Sequence, residues 1–250
     1  MDITVDKKLV NPKNGGKILM IKAILTIDDI ASSNTPALVD YLVSRGIKAL
    51  MFAEGAHIEK YPDNVIYAIQ HGMVVGNHSY SHPNFAEISF EEGIKEIEKC
   101  DALLEDIYKK AGVERKYRPF RFPYGSKGGA NKNKYEAYFK EKVFSKLDDR
   151  NIAYSWWKDN GLDQDIDTLW TFDFAEYNIR PDSGFSMEDV FKTIHDTNPA
   201  SGAVLLEDGG NHILLMHDHV ETLAMVPDYY KIMLEHIMEN GVTFVEPAFI

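Results

Sequence analysis

Short apolar runs alternate with longer amphipathic ones along almost the whole chain. Ile18–Ile27, Lys48–Phe52 and Met73–Gly76 predict strands, with helices over Thr35–Arg45 and Asn64–His71 closed by Gly46 and Gly72. The strongest helical period runs over Phe90–Ala111, through Ile94, Ile97, Ala102, Leu103, Leu104 and Ile107, and stops at Gly112. Beyond it, Tyr117–Phe122, Ile152–Trp156, Thr168–Phe172, Ile213–Met216 and Val242–Val245 predict strands. Tyr135–Leu147, Ser186–Asp196 (capped by Ser186) and Pro227–Asn240 predict helices. Repeated βα units imply an α/β fold with a mostly parallel sheet covered on both faces. The number of units is enough for closure into an irregular (β/α) barrel.

In such barrels function gathers where the strands end. The polar residues follow that rule. Asp28 and Asp29 follow the first strand, His78 the third, and Arg121 and Tyr124 the fourth; Asp173 ends a later one, and His217 and Asp218 end the strand from Ile213. No core requirement places charge at so many strand ends. The dyad sits on a run apolar on both faces, Ala23-Ile24-Leu25-Thr26-Ile27. Strand neighbours point to opposite faces, so both carboxylates can serve one site only if the backbone leaves strand geometry near Asp28.

Length and composition narrow the classes. The chain has 250 residues, 44% of them hydrophobic, enough for one core, and we expect a single catalytic domain over 1–250 with an insertion around 126–169. A net charge of −12 disfavours nucleic acid and anionic lipid as partners. The single Cys100 excludes an internal disulfide and a cysteine metal cage. No apolar run is long enough for a membrane span. The start, Met1–Lys8, lacks the order of a signal peptide, so the chain as it stands reads as cytoplasmic; one trimmed of its leader would read the same.

Two imidazoles four residues apart, His78 and His82, with one carboxylate of the dyad make a three-ligand divalent metal site with open positions. The other carboxylate is then free to act as a base on water. An inward arginine at Arg121 would neutralise the paired aspartates, and His217 is placed to be a general acid. His219, two residues on, is its rival. His71 reads as a helix-capping residue, and His57, His195, His212 and His236 receive no role.

These residues resemble the five ordered motifs of the polysaccharide deacetylase family, the chitooligosaccharide deacetylase homology domain of carbohydrate esterase family 4. The likeness runs from Thr26 to His217, about three quarters of the chain. Thr26-Ile27-Asp28-Asp29 resembles the first motif, which implies Asp28 as base and Asp29 as metal ligand. His78-Ser79-Tyr80-Ser81-His82 resembles the second and implies the histidine ligands. Arg121-Phe122-Pro123-Tyr124-Gly125 resembles the third, with Arg121 holding the base and the Tyr124 amide helping the oxyanion. Trp170, Asp173, Glu176 and Tyr177 resemble the fourth, with Asp173 steadying the catalytic histidine and Trp170, Tyr177 and Tyr124 meeting substrate. Leu215-Met216-His217 resembles the fifth, with His217 as general acid. The implied fold is an irregular seven-stranded (β/α) barrel, and the implied cofactor is zinc, with cobalt or nickel as alternatives.

The chain departs from the family pattern in places. Ile30-Ala31 stand where Gly-Pro usually follows the dyad, and Glu176-Tyr177 stand where Asp-Trp is usual. The long Ser126–Leu169 stretch, with Trp156-Trp157, would either cap the groove or decorate the surface, and Leu205–His212 also reads as inserted. The resemblance implies removal of acetyl groups from N-acetylglucosamine-type sugars or polysaccharides. The same constellation would serve an O-acetyl esterase of the acetylxylan type. A non-catalytic carbohydrate-binding relic is the third reading, set back by the retention of every required residue.

Overall fold

The computed structural model describes residues 19–250, so Met1–Lys8 and the first residue of the expected leading strand, Ile18, lie outside the described residues. That strand becomes the central one, β1 (Ile21–Ile30), buried on both faces from Leu25 onward. On one side lie β2 (Leu50–Ala53) and β3 (Val74–Asn77); on the other lie β5 (Asn211–His217) and then β4 (Phe172–Asp173). β6 (Val242–Phe244) pairs with the start of β1, and all these pairs are parallel. The connections carry α1 (Thr35–Ser44), α2 (Gly55–Lys60), α3 (Pro62–Gln70), α4 (Phe90–Ala111), α5 (Lys132–Glu141) and α6 (Ser155–Asp159). They continue with α7 (Met187–Ile194), α8 (Val220–Met225) and α9 (Tyr229–Glu239). The span of α4 is the expected one, opened by a Ser89–Glu92 capping box and closed by left-handed Gly112. Among the described residues no helix is long and apolar enough to cross a membrane.

Alternation along each strand divides the sheet into two faces. Ala23, Leu25 and Ile27 of β1, with Met51, Ala53, Val75, Leu214 and Met216, pack outward on helix residues such as Leu38, Leu104 and Met233. Ile24, Leu50, Phe52, Val74 and Ile213 face inward. Higher on the same inner rows the residues turn polar: Thr26 and Asp28 on β1, His217 on β5. The apolar end of the interior is filled by Leu147, Ile152 and Trp157. This filling explains a correction. Ile152–Trp156 is not a strand; its apolar residues belong to a plug that leads into α6, with the Trp157 indole N–H donating to Asp149 at 3.0 Å.

The sheet as paired ladders has six strands and stays open between β3 and β4. The expected strand Tyr117–Phe122 is reduced to a bridge between Phe120 and Asn77, because Pro119 has no N–H to offer a ladder. Single backbone hydrogen bonds span the gap instead. Asn77 N–H donates to Pro119 O at 2.9 Å, Arg121 N–H to Asn77 O at 3.1 Å, and Thr168 N–H to Phe120 O at 2.8 Å. The seventh position of the expected barrel is therefore an irregular segment. The helix expected over Tyr135–Leu147 ends early, since Val143 adopts φ 58° and turns Phe144 back onto Phe120 and Phe139.

Residue 76 must be glycine for the 119–121 segment to lie this close to β3. A Cβ there would sit 2.8 Å from both Pro119 Cγ and the Pro119 carbonyl oxygen. Gly76→Ala should cost about 1–3 kcal/mol of stability, read as a lower urea midpoint with an unchanged slope. An unchanged midpoint would show that the segment does not lean on β3.

Candidate active site

The inner rows deliver the site. In the parallel pairing of β1 with β5, Asp28 stands directly opposite His217. By alternation Asp29 should point outward, but its φ of 63° and a register jump between Ile27 and Ile30 break the strand there. The break meets the demand set by the sequence, and both carboxylates line one cavity of about 410 Å³. His78, His82, Tyr124, Trp170, Asp173, Tyr177 and His217 line it too. Arg121, the remaining expected site residue, lies fully buried behind Asp28.

Asp28 is held from below. Arg121 Nη1 donates to Asp28 Oδ1 and to Thr26 Oγ1, each at 2.7 Å, and Arg121 Nε donates to Thr168 O at 3.0 Å. The guanidinium lies over the rings of Phe52 (4.5 Å) and Trp170 (5.5 Å). A buried arginine beside a buried carboxylate offsets its charge and fixes its position.

Asp29, His78 and His82 offer donor atoms that all lie within 4.8 Å of one another. Asp29 Oδ1 is buried with no hydrogen-bond partner, and it faces His78 Nε2 at 3.5 Å and His82 Nε2 at 3.4 Å. An orphaned carboxylate oxygen aimed at two imidazole nitrogens fits a divalent cation. The supports agree. His78 Nδ1 lies 2.9 Å from Arg121 O, which fixes the tautomer that leaves Nε2 free. Burial, together with the charge of His78, pushes His82 down to about 4, so its ring is neutral at physiological pH. Burial works against the charge of Asp29. The hydrogen bond from His219 and the charges of His217, His78 and His82 outweigh it and hold the carboxyl well below the usual range.

His217 has a different partner from the one expected. Its Nδ1 lies 3.2 Å from Glu176 Oε1, and its main-chain N–H donates to the same oxygen at 2.5 Å. Asp173 Oδ1 instead accepts from Ala175 N–H at 2.8 Å. Steadying His217 therefore falls to Glu176, fully buried, while Asp173 remains a wall of the cavity. Burial opposes the charged His217 ring, but the hydrogen bond and charge of Glu176, with Asp29 and Asp28, outweigh it and push His217 up to about 9. Asp173 is pushed up to about 6, first by burial and then by the charge of Glu176.

Four further residues enter the site. His219 Nε2, the rival for the acid role, lies 2.7 Å from Asp29 Oδ2. His57, given no role from sequence, places Nδ1 2.9 Å from the Asp29 carbonyl oxygen. Glu54 follows the last residue of β2 and is pushed up to about 8 by burial and by the charges of Asp29 and Asp28. The strand-end rule, applied to the second strand, would have found it. Arg180 lines the cavity with no sequence signal to announce it. His195 and His236 face each other at 2.8 Å, and His212 contacts Tyr154 and Thr171, all outside the site. Asp218, next to His217, is buried and receives Ser32 Oγ, Asn34 Nδ2 and Thr35 Oγ1 at 2.9, 3.3 and 2.5 Å. It ties down the loop in which Ile30-Ala31 stand.

The polysaccharide deacetylase family matches residues 20–140. This match covers just under half of the chain, and over it the chain resembles the polysaccharide deacetylases. A peptidoglycan-N-acetylglucosamine deacetylase of Bacillus cereus is 37% identical over 102 residues, 40% of this chain and 35% of that one. The solved structure of a peptidoglycan N-acetylglucosamine deacetylase superposes with a TM-score of 0.62 at 23% identity, over 90% of this chain and 85% of the other. A mutant of a family 4 pseudoenzyme superposes at 0.55 and 21% identity, over 91% of this chain and 65% of the other. Likeness at this level shows the fold alone. The chain spans about a third or less of the length of the first curated relatives it matches. The chain gathers its metal-type donors, paired carboxylates and His217 in one cavity, with Glu176 bonded to His217.

The His217–Glu176 pair can be tested without any substrate. In Glu176→Gln the imidazole of His217 should titrate well below its native value of about 9, toward the ordinary 6.5, followed by NMR. An unmoved titration would remove Glu176 as its partner.

Proposed function

We propose that this protein is a metal-dependent hydrolase that removes acetyl groups from N-acetylglucosamine-type units, and that the chain works as one catalytic domain with the 126–169 stretch as its insertion. The observation that carries this reading is the register of Asp28 against His217 across one cavity, with the orphaned Asp29 Oδ1 facing His78 and His82 between them.

A divalent ion held by Asp29, His78 and His82 would polarise the acetyl carbonyl and acidify the attacking water. Two imidazoles and one carboxylate suit zinc, and cobalt or nickel would accept the same donors. Asp28, gripped by Arg121, takes the proton of the water as it attacks the carbonyl carbon. Tyr124 stands at the mouth with its ring against His82 at 4.6 Å, where its amide would meet the developing oxyanion. His217, charged at neutral pH and held by Glu176, gives its proton to the departing nitrogen. Trp170 and Tyr177 wall the sugar; the Tyr177 ring lies edge-on to His217 at 4.7 Å. The resemblance in the first motifs and the deacetylase relatives support the same chemistry.

Asp28→Asn tests the assignment. It should bind zinc in the native stoichiometry and lose acetate release from N-acetylglucosamine oligomers by about 10²–10⁴-fold. Comparable turnover in that variant would remove Asp28 as the base.

A further inference from the structure

We propose that a sugar unit of the same substrate chain, further along than the one next to the reacting unit, stacks on Trp156 in a chamber beside the catalytic cavity, so that the protein acts on long oligomers in preference to short ones. This rests on the deacetylase reading of the site. The chamber has a volume of about 560 Å³, larger than the catalytic cavity at about 410 Å³. Tyr124, Trp170, Asp173 and Tyr177 line both, so the two spaces share a wall. Each volume is of the size that holds a small ligand.

Trp156 comes from the stretch that the catalytic chemistry left unused. Tyr154 stacks on it with centroids 5.9 Å apart and planes 11° apart, and Trp157 meets it edge-on at 5.6 Å. Trp157 is itself buried and tied to Asp149. A half-buried indole fixed in this way offers a flat apolar face with little rotamer freedom left to lose on binding. Trp170 is fixed too: left-handed Gly125 leaves it room, since a Cβ there would lie 2.7 Å from the ring. The segment carrying Asp196 and Ser201, which also lines the chamber, is pinned by the hydrogen bond from Ala203 N–H to Thr171 O at 2.8 Å. Flat apolar faces together with hydroxyl and carboxylate groups in one lining match the alternating C–H and O–H surfaces of a pyranose. The lining contains Asp173 and Asp196 and neither lysine nor arginine. That balance favours neutral or amine-bearing sugars over uronate or sulfated ones.

Steady-state acetate release from N-acetylglucosamine dimer and pentamer tests the proposal in the zinc-loaded chain and in Trp156→Ala. The native protein should favour the pentamer in kcat/KM, and Trp156→Ala should lose about ten-fold on the pentamer, chiefly in KM. The dimer rate and the melting temperature should stay unchanged, and Trp156→Phe should recover part of the loss. Equal losses on both substrates, or none on either, would overturn the chamber. If the native protein released acetate from neither, calorimetric titration of the pentamer would separate the two ideas. Binding weakened by Trp156→Ala would uphold the chamber and sink the deacetylase reading; binding indifferent to Trp156 would sink both.

Discussion

The buried Arg121 side chain is the contact on which the rest of the site depends. Its guanidinium holds Asp28, Thr26 and the Thr168 carbonyl, and lies against Phe52 and Trp170. Its own carbonyl orients His78, and its N–H bonds to Asn77 at the end of β3. One residue thus bridges the gap in the sheet, sets the proposed base, fixes a ligand tautomer and backs an aromatic wall. A buried charge pair of this kind is weak evidence for stability, because desolvation offsets much of the attraction. Its value lies in geometry: removing either partner would strand a charge in the interior.

Several carboxylates crowd a small space, and each has its own remedy. Asp28 has Arg121, and Asp29 has His219 on one oxygen while leaving the other toward His78 and His82. Glu54, pushed up to about 8, adds little negative charge at neutral pH. Glu176 is balanced by His217, which it keeps charged. The left-handed turn at Asp29 makes the division possible by setting two adjacent side chains on one cavity. Function here rests on backbone departures from strand geometry as much as on residue identity.

The site was legible where strand ends carry unexpected charge. Asp28, His78 and His217 lie at the ends of apolar runs, and the paired aspartates required a break in β1 that the fold supplies. What escaped the sequence depends on contacts between distant segments. Glu176 and Asp173 are both carboxylates within reach of His217, and only the turn at Ala175 decides which one bonds it. His57 on α2 and His219 just before α8 meet Asp29 from separate segments, which no local pattern encodes. Ile152–Trp156 reads as a strand because its residues are apolar, yet they are apolar in order to plug the interior. Tyr117–Phe122 has strand composition, but its proline at 119 forbids the ladder.

The most direct measurement is acetate release from N-acetylglucosamine oligomers by chelator-stripped protein, before and after zinc is added. The account predicts no release from the stripped protein and release restored by stoichiometric zinc. Equal release with and without metal would contradict it, as would silence on these oligomers in zinc-loaded protein that binds one ion per chain.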